Sequence, residues 1–203
     1  MSETPPEHWF AREDESADEN FYAMPRMVTH IDDATIAALT DYYGEFLAEA
    51  TSVLDLMSSW VSHFPEDRKF EKATGLGMNA EELAANAHLT DWLVHNLNEN
   101  PILPFEDDVF DRATIAVSIQ YLKNPLPVMS DLQRVLKPGG KLCVAMSHRL
   151  FPTKAVAAFL KLPAEERIRL VMYYLHEGGF KDVEFIDRSP QGADPLWLVV
   201  GSA

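Results

Sequence analysis

Cysteine is nearly absent from this chain of 203 residues: Cys143 stands alone. One thiol excludes an intrachain disulfide and a cysteine-rich metal site. No window comes near the ~18 uninterrupted apolar residues of a membrane span. The opening residues, MSETPPEHWF, lack the basic stretch and apolar run of a secretory signal, so the expected location is the cytoplasm. Basic residues are also scarce. Seventeen Lys and Arg face 32 Asp and Glu, for a net charge of −15 and a pI near 4.7. Such a surface repels phosphate backbones and anionic headgroups, so neither nucleic acid nor a membrane is expected as a partner. Glycine numbers only nine. Gly75-Leu76-Gly77 lacks the third glycine of a dinucleotide fingerprint and follows the second expected strand, not the first. Ser118 sits in no Gly-x-Ser-x-Gly elbow. His88, His95 and His176 have no ligand spacing, and no metal is expected.

What is present is a large apolar fraction, 47%, enough for one domain with a sizeable core. Residues 1–20 are acid-rich and read as a flexible solvated arm, with a lid over a ligand as the alternative. Residues 21–203 read as a single domain. Asp33 caps an expected helix with Ile36, Leu39, Tyr43 and Phe46 on one face. Short buried strands follow at Ser52–Leu56 and up to Gly75–Met78. Asn79 and Glu82 have capping-box spacing before a helix to about Ala87. Trp92–Val94 reads as a third strand. Ala113–Ile119 is a continuous apolar-rich run with little alternation, as in a strand covered on both faces. Val128, Met129, Leu132, Val135 and Leu136 make a helical stripe stopped at Pro138. Gly139 and Gly140 supply the positive φ for the turn into a strand over Lys141–Met146. Lys154–Gly178 is helical with a break at Pro163. Val183–Ile186 and Leu196–Val200 are the last strands, and the short linker between them forces an antiparallel pair. The sum is a doubly wound, mostly parallel seven-stranded α/β sheet with an antiparallel last strand.

That ending, with Leu103-Pro104-Phe105, Phe110-Asp111 and the heptapeptide Arg134-Val135-Leu136-Lys137-Pro138-Gly139-Gly140, resembles the class I S-adenosylmethionine (SAM) methyltransferases of the broad type 11 group. The resemblance covers about residues 21–203 and implies a Rossmann-like fold, SAM as cofactor and a small-molecule acceptor. The family often reads Asp-x-Gly-x-Gly-x-Gly after its first strand. Here Asp55 is kept, while Met57, Ser59 and Val61 stand at the glycine places. The run from Leu54 to His63, LDLMSSWVSH, resembles that of a subgroup with its own loop. The family's ribose-binding acid falls at Gly77, and the acid for the adenine amino group at Asn96, whose carbonyl still accepts. The resemblance thus implies a cofactor site of Asp55, Ser58, Ser59, Gly77, Met78, Asn96 and Leu97.

Methyl transfer needs alignment, and a base where the acceptor must lose a proton. Catalytic candidates are Tyr22, with Arg26 and His30 in the segment before the first strand, His63 after the first-strand loop, and His148 and Arg149 after the fifth strand. Two readings follow. One is a SAM-dependent methyltransferase acting on a small molecule. The other is a non-catalytic domain of the same fold that binds a ligand or a protein. Oligomeric state is left open.

Overall fold

The structure, a computed structural model, describes residues 4–203. Seven strands form one sheet: β1 (Ser52–Ser58), β2 (Lys72–Gly77), β3 (Asp91–Val94), β4 (Phe110–Ala116), β5 (Leu136–Met146), β6 (Lys181–Asp187) and β7 (Trp197–Ser202). Their order is β3-β2-β1-β4-β5-β7-β6. All pairs are parallel except β7, which is antiparallel to both β5 and β6. The chain leaves β1 toward β2 on one side and meets β4 on the other. The carboxyl ends of β1 and β4 therefore flank a switch point, where open α/β sheets form their clefts.

Strand alternation divides the core into two layers. Leu54, Leu56, Val144 and Val199 pack with α4 (Pro125–Val135) and α6 (Ala164–Glu177). Val53, Cys143, Ala145, Leu198 and Val200 pack under α2 (Asp33–Phe46) through Leu39 and Tyr43. Asp32, one residue before the expected cap, accepts from the Thr35 amide and starts α2.

The heptapeptide is joined by polar bonds to the upstream stretches Leu103–Phe105 and Phe110–Asp111. Asp111 opens β4 and accepts from the amides of Thr51 and Ser52 at 2.9 and 2.8 Å and from Lys137 Nζ at 2.8 Å. One carboxylate thus ties β1, β4 and β5 at their amino ends. Arg134 forks onto Asp131 and reaches the carbonyls of Leu103 and Phe105. The turn is tighter than expected. β5 starts at Leu136, paired with Phe110, and the Pro-Gly-Gly residues form an irregularity inside the strand. Only Gly139 has positive φ. Gly140 is needed for space, since a Cβ there would lie 2.8 Å from the Lys137 carbonyl.

Three further departures have local causes. β4 begins at Phe110, not Ala113, and ends at Ala116 because Val117 turns into the left-handed region at φ 49°. The helix expected from Lys154 begins only at Ala157, and Pro163 stands at the N-cap of α6. Residues 4–20, expected as a solvated arm, run across the carboxyl edge of the sheet. Trp9 and Phe10 pack on the core. Lys154 explains the docking: it is fully buried and meets Ser16 O at 2.7 Å, Asp14 at 3.1 Å and Asp18 at 3.5 Å. An ammonium buried this deeply requires paired anions, and the acid-rich segment supplies them. Residues 1–3 of the expected arm lie outside the described residues.

Asp111→Asn is expected to destabilise the fold by about 1–3 kcal/mol at neutral pH, the cost of removing a charged acceptor from several donors. Burial opposes the Asp111 charge, but Lys137, Ser52 and Thr51 outweigh it and hold the carboxyl below 3.8. A depressed carboxyl stabilises above its unfolded value and loses that contribution as pH falls through the folded one. Urea unfolding should therefore show the gap between wild type and variant closing below pH 3.8. A gap constant with pH would contradict this role for Asp111.

Candidate cofactor cleft

A cleft of about 870 Å3, mouth included, opens at the carboxyl ends of β3, β2, β1 and β4. Each strand contributes the residues just past its end: Asn96 and Leu97 from β3, Gly77 and Met78 from β2, Met57 to Ser59 from β1, and Ala116 to Ser118 from β4. The roof comes from residues 18–30, through Asp18, Tyr22, Arg26 and His30, and Phe151 closes the far side.

The β1 loop turns without glycine. Met57 takes φ 57° at the family's glycine place, where β1 shifts register against β2. A non-glycine residue there costs about 1–2 kcal/mol. The compensation is Asp55, 2% exposed, which accepts from Ser58 Oγ at 2.6 Å, Ser62 Oγ at 2.6 Å and Thr114 Oγ1 at 2.9 Å. Burial raises the Asp55 carboxyl and the three hydroxyls lower it, with burial the larger effect. Asp55 was expected on the cofactor wall. It lies beneath the wall, on the sheet face of Val53, because the strand alternates there. His63 and Val117 are also in the left-handed region, at φ 57° and 49°. A β-branched residue so placed is a true outlier, and such strain gathers at functional sites.

Gly77 fits a different need from the one expected. A Cβ there would sit 2.2 Å from the Ser58 carbonyl, so the end of β2 approaches the β1 loop too closely for any side chain. A carboxylate stands nearby on the first turn of the next helix. Asn79 caps α3 (Ala80–Ala85), accepting from the amides of Glu81 and Glu82. Glu82 does not return the capping bond. Its carboxylate, 7% exposed, lines the cleft and accepts from Ser59 Oγ at 2.5 Å and from the Arg26 amide at 2.7 Å. Asn79 Nδ2 donates to the Tyr22 carbonyl at 2.8 Å. The first turn of α3 thereby fastens the roof to the β1 loop.

The structure brings Tyr22, Ser58, Ser59, Gly77, Met78, Asn96 and Leu97 together on this cleft. Tyr22 is largely buried, which raises its phenol well above the ordinary value, as do Tyr121 and Asp18. The phenol therefore stays protonated at neutral pH. Asn96 turns its amide to Glu19 at 2.7 Å. His63 lies in an adjoining chamber with Asp55 and Trp60, and burial, then His30 and His88, bring its imidazole down to about 4. His148 and Arg149 do not reach the cleft. Both pair with Asp194, at 3.0 and 2.9 Å, and Asp194 in turn accepts from the Asp32 amide. They fasten the β6–β7 linker to the start of α2.

Sequence reasoning missed Glu82, Val117 and Ser118. The spacing from Asn79 made Glu82 look like a helix cap. The hydroxyl of Ser118 is buried on the cleft wall without a partner among the described residues. Its place after β4, beside the switch point, was the available signal. Nothing in the sequence marks Val117 as left-handed. No group of three or more metal-ligating side chains occurs among the described residues.

Glu82→Ala leaves the Arg26 amide and the Ser59 hydroxyl without their acceptor, at a cost of about 1–3 kcal/mol. Hydrogen exchange at Arg26 should quicken while exchange in β4 and β5 is unchanged. Unaltered protection at Arg26 would show that Glu82 does not hold the roof.

Comparison with known proteins agrees with this geometry. Residues 59–144 match the family described as Methyltransferase domain. The chain is 36% identical over 96 residues to the 2-phytyl-1,4-naphtoquinone methyltransferase of Synechocystis, covering 43% of this chain and 38% of the relative. The stretches matched in this and the other curated relatives span well under half of those proteins' lengths. Among solved structures, the [4+2]-cyclase SpnF matches with a TM-score of 0.60 at 16% identity, over 81% of this chain and 80% of that one. A SAM-dependent methyltransferase from Mesorhizobium loti matches with a TM-score of 0.58 at 15% identity, over 82% and 98%. At these identities the two structures establish the fold. By strand order and by these structural matches the chain has the fold of the class I SAM-dependent methyltransferases, and its residues 59–144 match the Methyltransferase domain family.

Proposed function

We propose that this protein is a methyltransferase that uses SAM and acts on a small-molecule acceptor. The observation that carries this reading is the unpartnered buried hydroxyl of Ser118 in a cleft spanning the ends of β3, β2, β1 and β4. SAM supplies an electrophilic methyl group on a sulfonium. The residues present fit it. Asn96 and Leu97 would hold the adenine end. Glu82 would accept from the ribose hydroxyls, since a carboxylate has about four acceptor sites and its two present donors leave room. Ser58, Ser59 and Ser118 would meet the amino-acid end, with Gly77 allowing the close approach. Tyr22 and Arg26 would cover the ligand and exclude water. Asp55 acts by positioning the serine loop, and the LDLMSSWVSH run marks a subgroup that makes this turn without glycine. The quinone methyltransferase relative supports an uncharged acceptor. Among the described residues no helix is long and apolar enough to cross a membrane, in keeping with a cytoplasmic enzyme.

The second reading, a ligand-binding domain without catalysis, is favoured by the Met57 side chain on the cleft wall at a glycine place. Thermal unfolding with S-adenosylhomocysteine tests both. At a hundredfold excess over Kd a working site adds about 2.7 kcal/mol, or about 5–10 °C for a domain of this size. No shift at millimolar ligand would overturn the SAM reading. A shift without methyl transfer to any acceptor would favour the binding module.

A further inference from the structure

A second chamber of about 490 Å3 adjoins the cofactor cleft. The two share Met57, Ser58, Ser59, Ala116, Val117 and His30 as a common wall. Two of the strained residues, Met57 and Val117, stand in that wall, and the third, His63, lies deeper in the chamber. Its other surfaces are apolar: Val28, Ile31, Val61 and the Trp60 ring, which is fixed by a bond from Nε1 to the Val28 carbonyl at 3.0 Å. Val28, in the chamber wall, is 54% exposed. The chamber has no free charge. Asp55 is enclosed by three hydroxyls. Besides the bonded serines, the polar groups left are the Thr29 hydroxyl and two imidazoles, His63 inside and His30 on the shared wall. The His30 ring stands edge-on against Phe151 at 4.9 Å.

We propose that this chamber is the acceptor site, that it takes a flat, uncharged molecule with one phenol-type hydroxyl, and that His30 removes the hydroxyl proton as His63 orients the ring. The inference rests on the methyltransferase reading. The absence of a cation facing the chamber disfavours carboxylate and phosphate acceptors, and apolar walls favour an aromatic body. During transfer the acceptor oxygen gains the methyl carbon as the carbon–sulfur bond breaks, with that electron pair going to sulfur, and the hydroxyl proton passes to the His30 imidazole. The charge carried by the sulfonium beforehand is carried by the imidazolium afterwards. Groups around His30 are Arg26 on its own segment, Glu82 from α3, His63 and the enclosed Asp55. Burial and Arg26 lower its proton affinity and Glu82 raises it, with burial the largest effect. The base is therefore neutral at pH 7 and ready to accept.

The test is calorimetric titration of the protein, saturated with S-adenosylhomocysteine, with 2-naphthol and with its anionic counterpart 2-naphthoate. 2-Naphthol is expected to bind in preference to 2-naphthoate, and Val61→Trp, which fills the chamber, should weaken it about tenfold or more, a loss of about 1.4 kcal/mol. Equal binding of the anion, no binding of 2-naphthol, or binding indifferent to Val61→Trp would overturn the chamber. If S-adenosylhomocysteine itself fails to bind, the methyltransferase reading falls instead. In single turnover with SAM, methylation of 2-naphthol should rise with pH to a plateau whose midpoint lies below the 6.5 of an ordinary histidine. The midpoint should vanish in His30→Asn. An unchanged profile in that variant, or bound 2-naphthol that is never methylated, would remove His30 from the reaction.

Discussion

One buried carboxylate governs the functional edge of this molecule. Asp55 draws the hydroxyls of Ser58, Ser62 and Thr114 onto itself in the interior of the sheet. A buried carboxylate is tolerated only when its lone pairs are met, so the β1 loop must bend to bring Ser58 and Ser62 back over it. That bend forces Met57 into the left-handed region, where the family more often uses glycine. The cost of about 1–2 kcal/mol at Met57 is matched by charge-assisted bonds that are each stronger than ordinary ones. From this clamp follow the wall of the cleft, the place of Ser59 against Glu82, and the chamber holding His63.

The roof depends on the loop in turn. Ser59 and the Arg26 amide meet at Glu82, and Asn79 holds the Tyr22 carbonyl. At the other end of the roof the acid-rich segment closes on Lys154, with Asp18 shared between that lysine, Arg12 and Asn98. The surplus of acidic residues thus has a local use: part of it neutralises a cation buried under the arm. Residues 18–30 roof the cleft, and a ligand held beneath them would be shielded from water, which would strengthen its electrostatic contacts.

Much of the fold was legible because its signals are local and periodic. The apolar-rich run over Ala113–Ile119, the stripe before Pro138 and the short linker before Leu196 each constrain one element, and together they leave few arrangements of the sheet. The heptapeptide was legible for its lineage, and Asp111 and Arg134 supply the physical reason for it. The site was legible only as positions past strand ends. Ser58, Gly77 and Asn96 were singled out on that ground, and all three line the cleft. Glu82 was hidden by its resemblance to a capping partner, and the arm by a composition that suits solvent until Lys154 is placed beneath it. His148 and Arg149 were misplaced because Asp194, 45 residues or more away in sequence, captures both. Backbone φ at Met57 and Val117 is a consequence of packing between distant segments, and no residue pattern announces it.

The central claim is that a loop of serines clamped on Asp55 replaces a glycine loop in holding SAM. A crystal structure of the protein grown with S-adenosylhomocysteine tests it most directly. The account predicts the ligand lying from Asn96 to Ser118 across the ends of the four strands, its ribose on Glu82, with Met57 still at positive φ and Asp55 still bonded to its three hydroxyls. A cleft left empty at saturating ligand, or a ligand admitted only after the β1 loop has left Asp55, would contradict it.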